Sequence, residues 1–281
     1  MLACAAMLAH APLIAQTITP LQGFVLGAVQ GLTELLPVSS SAHLYIVPTL
    51  LGWKYEGVAF DVALHGGTLV ALVIAFAKDW LALIRGLFDP GEHGRETRGI
   101  WIMLIVATIP GAIAGKLLDA YADTHLRFLP LQACMLAVFG FLLWAVDRAS
   151  GPGRDWRSPG WPAALAMGLS QCLALIPGVS RSGVTMTAAR GIGLSRVSAA
   201  RFSFLLATPI TMGALVLKLP HMPHDVPPRT MLIGVAAAAV FGVAAIQLLL
   251  RMMRSTGFGW FFAYRAALAA FILVFWIGHR G

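Results

Sequence analysis

The position of two interruptions restricts this chain more than any other feature. Two long apolar stretches are each broken by a proline and a run of serines, and their ionisable groups gather at the break. The first stretch, Gly27 to Leu44, breaks at Pro37-Val-Ser-Ser-Ser41 and carries only Glu34 and His43 as ionisable residues. The second, Gly168 to Thr185, breaks at Pro177-Gly-Val-Ser-Arg-Ser182 and carries only Arg181. A helix interrupted at lipid depth persists only where its freed backbone lines a buried or wet cavity. A charge there costs about 2.5–3.5 kcal/mol even on the most lenient insertion scale, so it marks a functional place.

Composition supports the premise that these stretches lie in lipid. The 281 residues are 58% hydrophobic and 11% charged, with mean hydropathy +0.80, whereas soluble domains are about 25% charged. The expected fold is an all-α polytopic membrane protein. A net charge of +8 could indicate a nucleic-acid partner. Lys and Arg instead fall in short loops between apolar runs, the pattern that orients membrane helices, so no nucleic acid is expected. Cys4, Cys134 and Cys172 show neither disulfide nor zinc spacing. The apolar residues 1–19 lack a basic leader region and read as an extra N-terminal segment.

The hydrophobic pattern predicts broken segments at about 20–51 and 162–190. Spanning helices are predicted at about 61–84, 99–118, 129–147, 197–218, 230–251 and 258–279. Residues 1–281 then form one integral membrane domain. Repeat one covers about 20–147, repeat two about 162–279, and 148–161 is a cytoplasmic linker. Gly27, Gln30, Leu32, Ser39 and Ser41 each precede Gly168, Gln171, Leu173, Ser180 and Ser182 by 141 residues, which reads as duplication. If each broken segment is a re-entrant hairpin, three spans per half put the two hairpins on opposite faces, an inverted repeat. The loops 85–98, 148–161, 190–196 and 251–257 hold most of the arginines and are read as cytoplasmic. Lys54, Arg127, Arg229 and Arg280 fall on the other side, so the first hairpin opens outward.

At the first break Gln30 and Glu34 share a helix face at i, i+4, as Ser40 and His43 do at i, i+3. Ser39 or Ser40 is placed to cap the second half-helix, and Ser180 sits at the equivalent N-cap. Two helix N-termini converging with Arg181 make an anion pocket, and guanidinium matches phosphate oxygens in bidentate fashion. Glu34 would repel such an anion unless a divalent cation, Mg²⁺ or Ca²⁺, sits on Glu34 with Gln30 as a neutral ligand. The constellation suits a phosphate or diphosphate group. Glu34 and Arg181 could simply form a structural ion pair, His43 could be a satisfied interior histidine, and the serines could merely satisfy broken backbone, but the clustering of acid, base, hydroxyls and Arg at two related breaks favours the functional reading. Asp61 and His65, also i, i+4, start the first spanning helix and could flank the site, although a surface or helix-cap role is the better reading for Asp61. Gly23, Gly27 and Gly31, and Gly111 with Gly115, read as small-residue stripes for close helix approach.

Gln30-Gly-Leu-Thr-Glu-Leu-Leu-Pro-Val-Ser-Ser-Ser-Ala-His43 and Pro177-Gly-Val-Ser-Arg-Ser-Gly-Val-Thr185 resemble the two signature motifs of the undecaprenyl-diphosphate phosphatase, or bacitracin-resistance, family. The resemblance extends from about residue 20 through most of the chain. It implies an inverted repeat with two re-entrant hairpins, a homodimer, and a bacterial inner-membrane location with the site open to the periplasm. The implied activity is hydrolysis of undecaprenyl diphosphate to undecaprenyl phosphate. That reaction recycles the carrier lipid for peptidoglycan synthesis and confers bacitracin resistance. Through the motifs, Glu34, Ser40, His43 and Arg181 match catalytic positions. Gln30, Ser39, Ser41, Ser180, Ser182 and Thr185 are assigned to substrate binding, with Glu34 and Gln30 as metal ligands. Gln at position 30 leaves one carboxylate fewer than Glu would. Attack by Ser40, with His43 or Glu34 taking its proton, and attack by a metal-activated water both stay open. The other membrane-phosphatase design needs a His soon after the Ser-Arg pair, and none follows Arg181. A transporter or flippase of the polyprenyl phosphate carrier is the alternative, since broken inverted repeats also build transporters.

Overall fold

The computed structural model describes residues 18–53, 58–157, 160–218 and 226–279. Most of the N-terminal extension, with Cys4, lies outside the described residues, as do Lys54 and Arg280. Among the described residues the chain forms eleven α-helices, a 3₁₀ turn and no strand. The first half comprises α1 (Pro20–Leu35), α2 (Ser40–Leu50), α3 (Val58–Ala75), α4 (Ala77–Leu87), α5 (Glu92–His125) and α6 (Leu129–Ala149). The second comprises α7 (Trp161–Ser170), the 3₁₀ turn (Gln171–Leu175), α8 (Arg181–Gly191), α9 (Arg196–Lys218), α10 (Pro228–Ser255) and α11 (Gly259–Gly278).

Five helices, α5, α6, α9, α10 and α11, are long and apolar enough to cross a membrane, and α3 with α4 makes a sixth if counted as one bent span. Their outer faces carry exposed hydrocarbon: Leu117 is 72%, Val274 71% and Leu232 69% exposed. A bundle coated this way is stable only in lipid, so this is a multi-pass membrane protein. The expected straight span at 61–84 is the one element that differs. It turns by 69° between Ala75 and Ala77. Lys78 and Asp79 would sit in hydrocarbon on a straight path. The turn lets Asp79 meet Arg201 at 3.3 Å and buries Phe76 against Phe204, ring centroids 5.7 Å apart.

The two broken elements position the rest. Thr19 caps α1 in a reciprocal capping box with Gln22, and Pro20 occupies the first turn, where its missing N–H costs nothing. Pro37 stops α1 by forcing Leu36 into an extended conformation, ψ 148°. Each broken helix packs on a span of the opposite half: α1 on α10, and α7 on α5. The pattern continues with α3 on α10, α5 on α9, and α6 against α11.

The glycine stripe of α1 makes its contact possible. A Cβ at Gly27 would overlap the carbonyl of Gly234 in α10. Gly115 was read as part of a similar stripe, yet nothing lies within 4 Å of where its Cβ would be. Gly27→Val is therefore expected to destabilise the bundle by about 3 kcal/mol through overpacking, while Gly115→Ala is neutral. Thermal unfolding of the two variants in detergent measures this. Equal midpoints would refute the close approach.

Candidate functional site

The two breaks meet. Ser39, φ 74°, and Ser180, φ 73°, are the non-glycine residues with positive φ among the described residues, and they are the register partners found in the sequence. Such backbone costs about 1–3 kcal/mol per residue and is held only where the surroundings over-determine it. The serine pairs repeat as well: Ser39 Oγ lies 3.1 Å from Ser41 Oγ, and Ser180 Oγ lies 3.2 Å from Ser182 Oγ. The caps differ. Ser180 accepts from the Gly183 N–H at 3.2 Å, whereas Ser39 makes no side-chain capping bond. The first turn of α2 thus keeps its N–H groups uncapped by a side chain, next to Ser40.

Glu34, 8% exposed, is the hub. Its Oε1 accepts from Arg181 Nη2 at 2.5 Å, across the two breaks. Its Oε2 accepts from Ser40 Oγ at 2.5 Å, lies 3.3 Å from His65 Nε2, and receives a long bond from Gln30 Nε2 at 3.4 Å. His65 Nδ1 is 2.7 Å from the Asp61 carbonyl. Both ring nitrogens therefore face acceptors, the arrangement of an imidazolium. Arg181 and His65 outnumber the one carboxylate. The repulsion expected between Glu34 and an anion is thereby offset by side chains alone. Arg181 spends only Nη2 on protein, and its other nitrogens have no acceptor among the described residues.

A cation site can be tested on the donors present. Among the described residues no three His, Cys, Asp or Glu side chains converge to cage an ion. Gln30 Oε1, however, is buried without a partner, on the amide whose Nε2 reaches the Glu34 carboxylate. A carboxylate and an orphaned amide oxygen fit a hard cation that takes its remaining ligands from phosphate and water.

Other expected residues sit nearby with their groups engaged. Ser182 Oγ donates to the carbonyls of Glu34 (3.2 Å) and Leu36 (3.0 Å), and Thr185 Oγ1 donates to the Arg181 carbonyl at 2.9 Å and lies 2.6 Å from Ser203 Oγ. The Ser182 hydroxyl thus braces one break against the other, and that of Thr185 ties the start of α8 to α9. Ser41 Oγ accepts a long bond from Gly178 N at 3.5 Å, again between breaks. Both ring nitrogens of His43 are engaged by groups other than the Ser40 hydroxyl. Its Nδ1 donates to the Ser39 carbonyl at 2.7 Å, so Nε2 accepts from the Tyr264 hydroxyl at 2.6 Å.

Sequence reasoning missed Arg265. It is wholly buried and donates to Pro37 O in the first break (3.2 Å) and to Gly178 O (2.9 Å) and Val179 O (3.0 Å) in the second. It also donates to Leu136 O and Met135 O of α6. One guanidinium thus ties both interruptions to the bundle. The available signal was a lone charge inside the apolar run of α11.

The sequence profile of the family described as bacitracin resistance protein BacA matches residues 23–271. The chain belongs to that family. The BacA-family assignment bears out the resemblance drawn from the two break motifs, and curated relatives agree. The undecaprenyl-diphosphatase of Pelotomaculum thermopropionicum is 47% identical over 91% of this chain and 97% of its own length. That of Gemmatimonas aurantiaca is 49% identical over 90% and 96%, and that of Desulforudis audaxviator 44% over 91% and 97%. The match begins near the start of α1, so the residues before it stand outside the BacA-family likeness.

Proposed function

We propose that this BacA-family protein removes the terminal phosphate of undecaprenyl diphosphate, yielding undecaprenyl phosphate and inorganic phosphate. In that role it recycles the carrier lipid for peptidoglycan synthesis and confers bacitracin resistance. The observation that carries the reading is the convergence of Glu34, Ser40 and Arg181 from two separate breaks onto one helix N-terminus, in a chain so close to proteins named undecaprenyl-diphosphatase.

The diphosphate head sits over the first turn of α2, where backbone N–H groups face its terminal oxygens. Arg181 bridges to those oxygens with the nitrogens it does not spend on Glu34. Its charge and that of His65 stabilise the equatorial oxygens as the P–O bond to the leaving undecaprenyl phosphate breaks. Ser40 Oγ attacks the terminal phosphorus and its proton passes to Glu34 Oε2, already hydrogen-bonded to it. A carboxylate among so many donors is a weak base. Phosphoryl transfer tolerates this, because its loose transition state asks mainly for positioning and charge. Water then hydrolyses the phosphoserine, and Glu34 returns the proton to Ser40. His43, clamped between Ser39 and Tyr264, holds the strained break rather than the Ser40 proton. Mg²⁺ or Ca²⁺ bound by Glu34 and Gln30 Oε1 would add charge neutralisation on the diphosphate.

The halves' exchanged packing and matching breaks support an inverted repeat whose two hairpins enter from opposite faces. The arginine-rich loops support a cytoplasmic-membrane protein whose site opens to the periplasm. A homodimer is part of the same reading.

The test is phosphate release from undecaprenyl diphosphate by purified protein in detergent, with and without chelator. Ser40→Ala is expected to lower kcat by at least about 10²-fold, some 2.7 kcal/mol of transition-state stabilisation. Acid quench should trap phosphate on Ser40 of the active protein. No phosphate release from folded protein would sink the reading, and full activity of Ser40→Ala would remove the serine from it.

A further inference from the structure

About 16 Å along α6 from the carbonyls that hold Arg265, a second polar cleft opens at the other end of the bundle. Its volume is about 360 Å³, and it lies between the end of α6, the start of α9 and the α10–α11 turn. Asp147, 2% exposed, sits at its floor. That carboxylate is saturated: it accepts from Arg190 Nε (2.9 Å), Arg196 Nε (2.8 and 3.0 Å) and the Phe258 N–H (3.3 Å). Two guanidinium groups therefore outnumber it. Arg190 uses its remaining nitrogens on backbone carbonyls. Arg196 does not, and its two terminal nitrogens have no acceptor among the described residues. Arg148, on the rim, is exposed and forms no hydrogen bond or ion pair among them. The walls are the indoles of Trp144 and Trp260, the latter 69% exposed.

We propose that this cleft binds the phosphate-bearing headgroup of an anionic phospholipid. The chemistry required is a compact anion for Arg148 and Arg196, with adjoining apolar matter for an exposed indole. Guanidinium suits phosphate oxygens, tryptophan at helix ends marks the membrane interface, and basic pockets between helices at that level take anionic headgroups. Free phosphate shares the first part of this chemistry and lacks the second. The proposal does not rest on the phosphatase reading, because none of these groups contacts Glu34.

Native mass spectrometry of the full-length protein, released from detergent with phosphatidylglycerol, phosphatidylcholine or inorganic phosphate, tests it. Phosphatidylglycerol should be retained over phosphatidylcholine. Arg148→Gln should weaken that retention about five-fold, the factor expected for one basic residue at an anionic surface. Trp260→Ala should weaken lipid retention and leave phosphate unaffected, and Arg148→Gln should leave phosphate release from undecaprenyl diphosphate at its parent rate. Equal retention of the two lipids, or insensitivity to Arg148→Gln, would overturn the proposal. Binding of inorganic phosphate without phosphatidylglycerol would overturn it too, by making the cleft a site for a soluble anion.

Discussion

Replacing Glu34 with glutamine is expected to lower kcat by about 10³-fold while leaving a protein that still inserts. The substitution keeps the side chain's shape and removes its charge. Ser40 loses the carboxylate oxygen 2.5 Å away that can take its proton, and general-base and electrostatic losses of this kind are each worth about 10²–10⁴-fold. Stability falls as well. Arg181, with 15% of its side chain exposed, loses its partner, and breaking one side of a buried pair costs about 3–5 kcal/mol. The double variant Glu34→Gln/Arg181→Gln separates the two effects. It should regain much of the thermal midpoint and none of the activity, since the guanidinium charge leaves together with the carboxylate and His65, the remaining partner of that carboxylate, can shed its proton. Turnover and unfolding are to be measured on the same preparations. If turnover returned with stability in the double variant, the pair would be a structural tie only.

Arg265→Leu should damage the fold at least as much as Glu34→Gln does. Three carbonyl groups within the breaks lose their donor at once, and two on α6, which keep their intrahelical N–H partners, lose a second one. Each buried acceptor left unsatisfied costs about 1–3 kcal/mol, and relaxation will recover part of that. A net loss of roughly 4–5 kcal/mol follows, at the upper end for single substitutions. Arg265→Lys keeps the charge but not the fork, so it can serve one break and not both. An intermediate thermal midpoint is expected for Lys, with protease cuts appearing at 36–40 and 176–180. A parent-like midpoint for Arg265→Leu would show that the breaks hold without it.

These two predictions also mark what the sequence could and could not tell. Glu34 and Arg181 were legible because ionisable groups beside prolines in apolar runs have few explanations, and the structure brings them together. The pairing of the halves was legible from a 141-residue register that the structure repeats at Ser39 and Ser180. Arg265 obeys the same energetic rule but sits in an unbroken helix, so a search confined to breaks passed over it. The turn at Phe76 has no proline or glycine to announce it. What accompanies it is tertiary, the pairing of Asp79 with Arg201 and the packing of Phe76 on Phe204. The partner of His43 lies 221 residues away, beyond any local pattern. Local chemistry located the site, and distant packing decided which of its groups are free to act.

The bond between Glu34 and Arg181 spans 147 residues of chain, and a ribosome adds about 5–20 residues per second. The acid is therefore synthesised roughly 7–30 s before its guanidinium partner. His65, on α3, is the cation that reaches it first. The imidazole seen beside the finished carboxylate is thus also the group able to shelter that acid while the second half of the protein is still being translated.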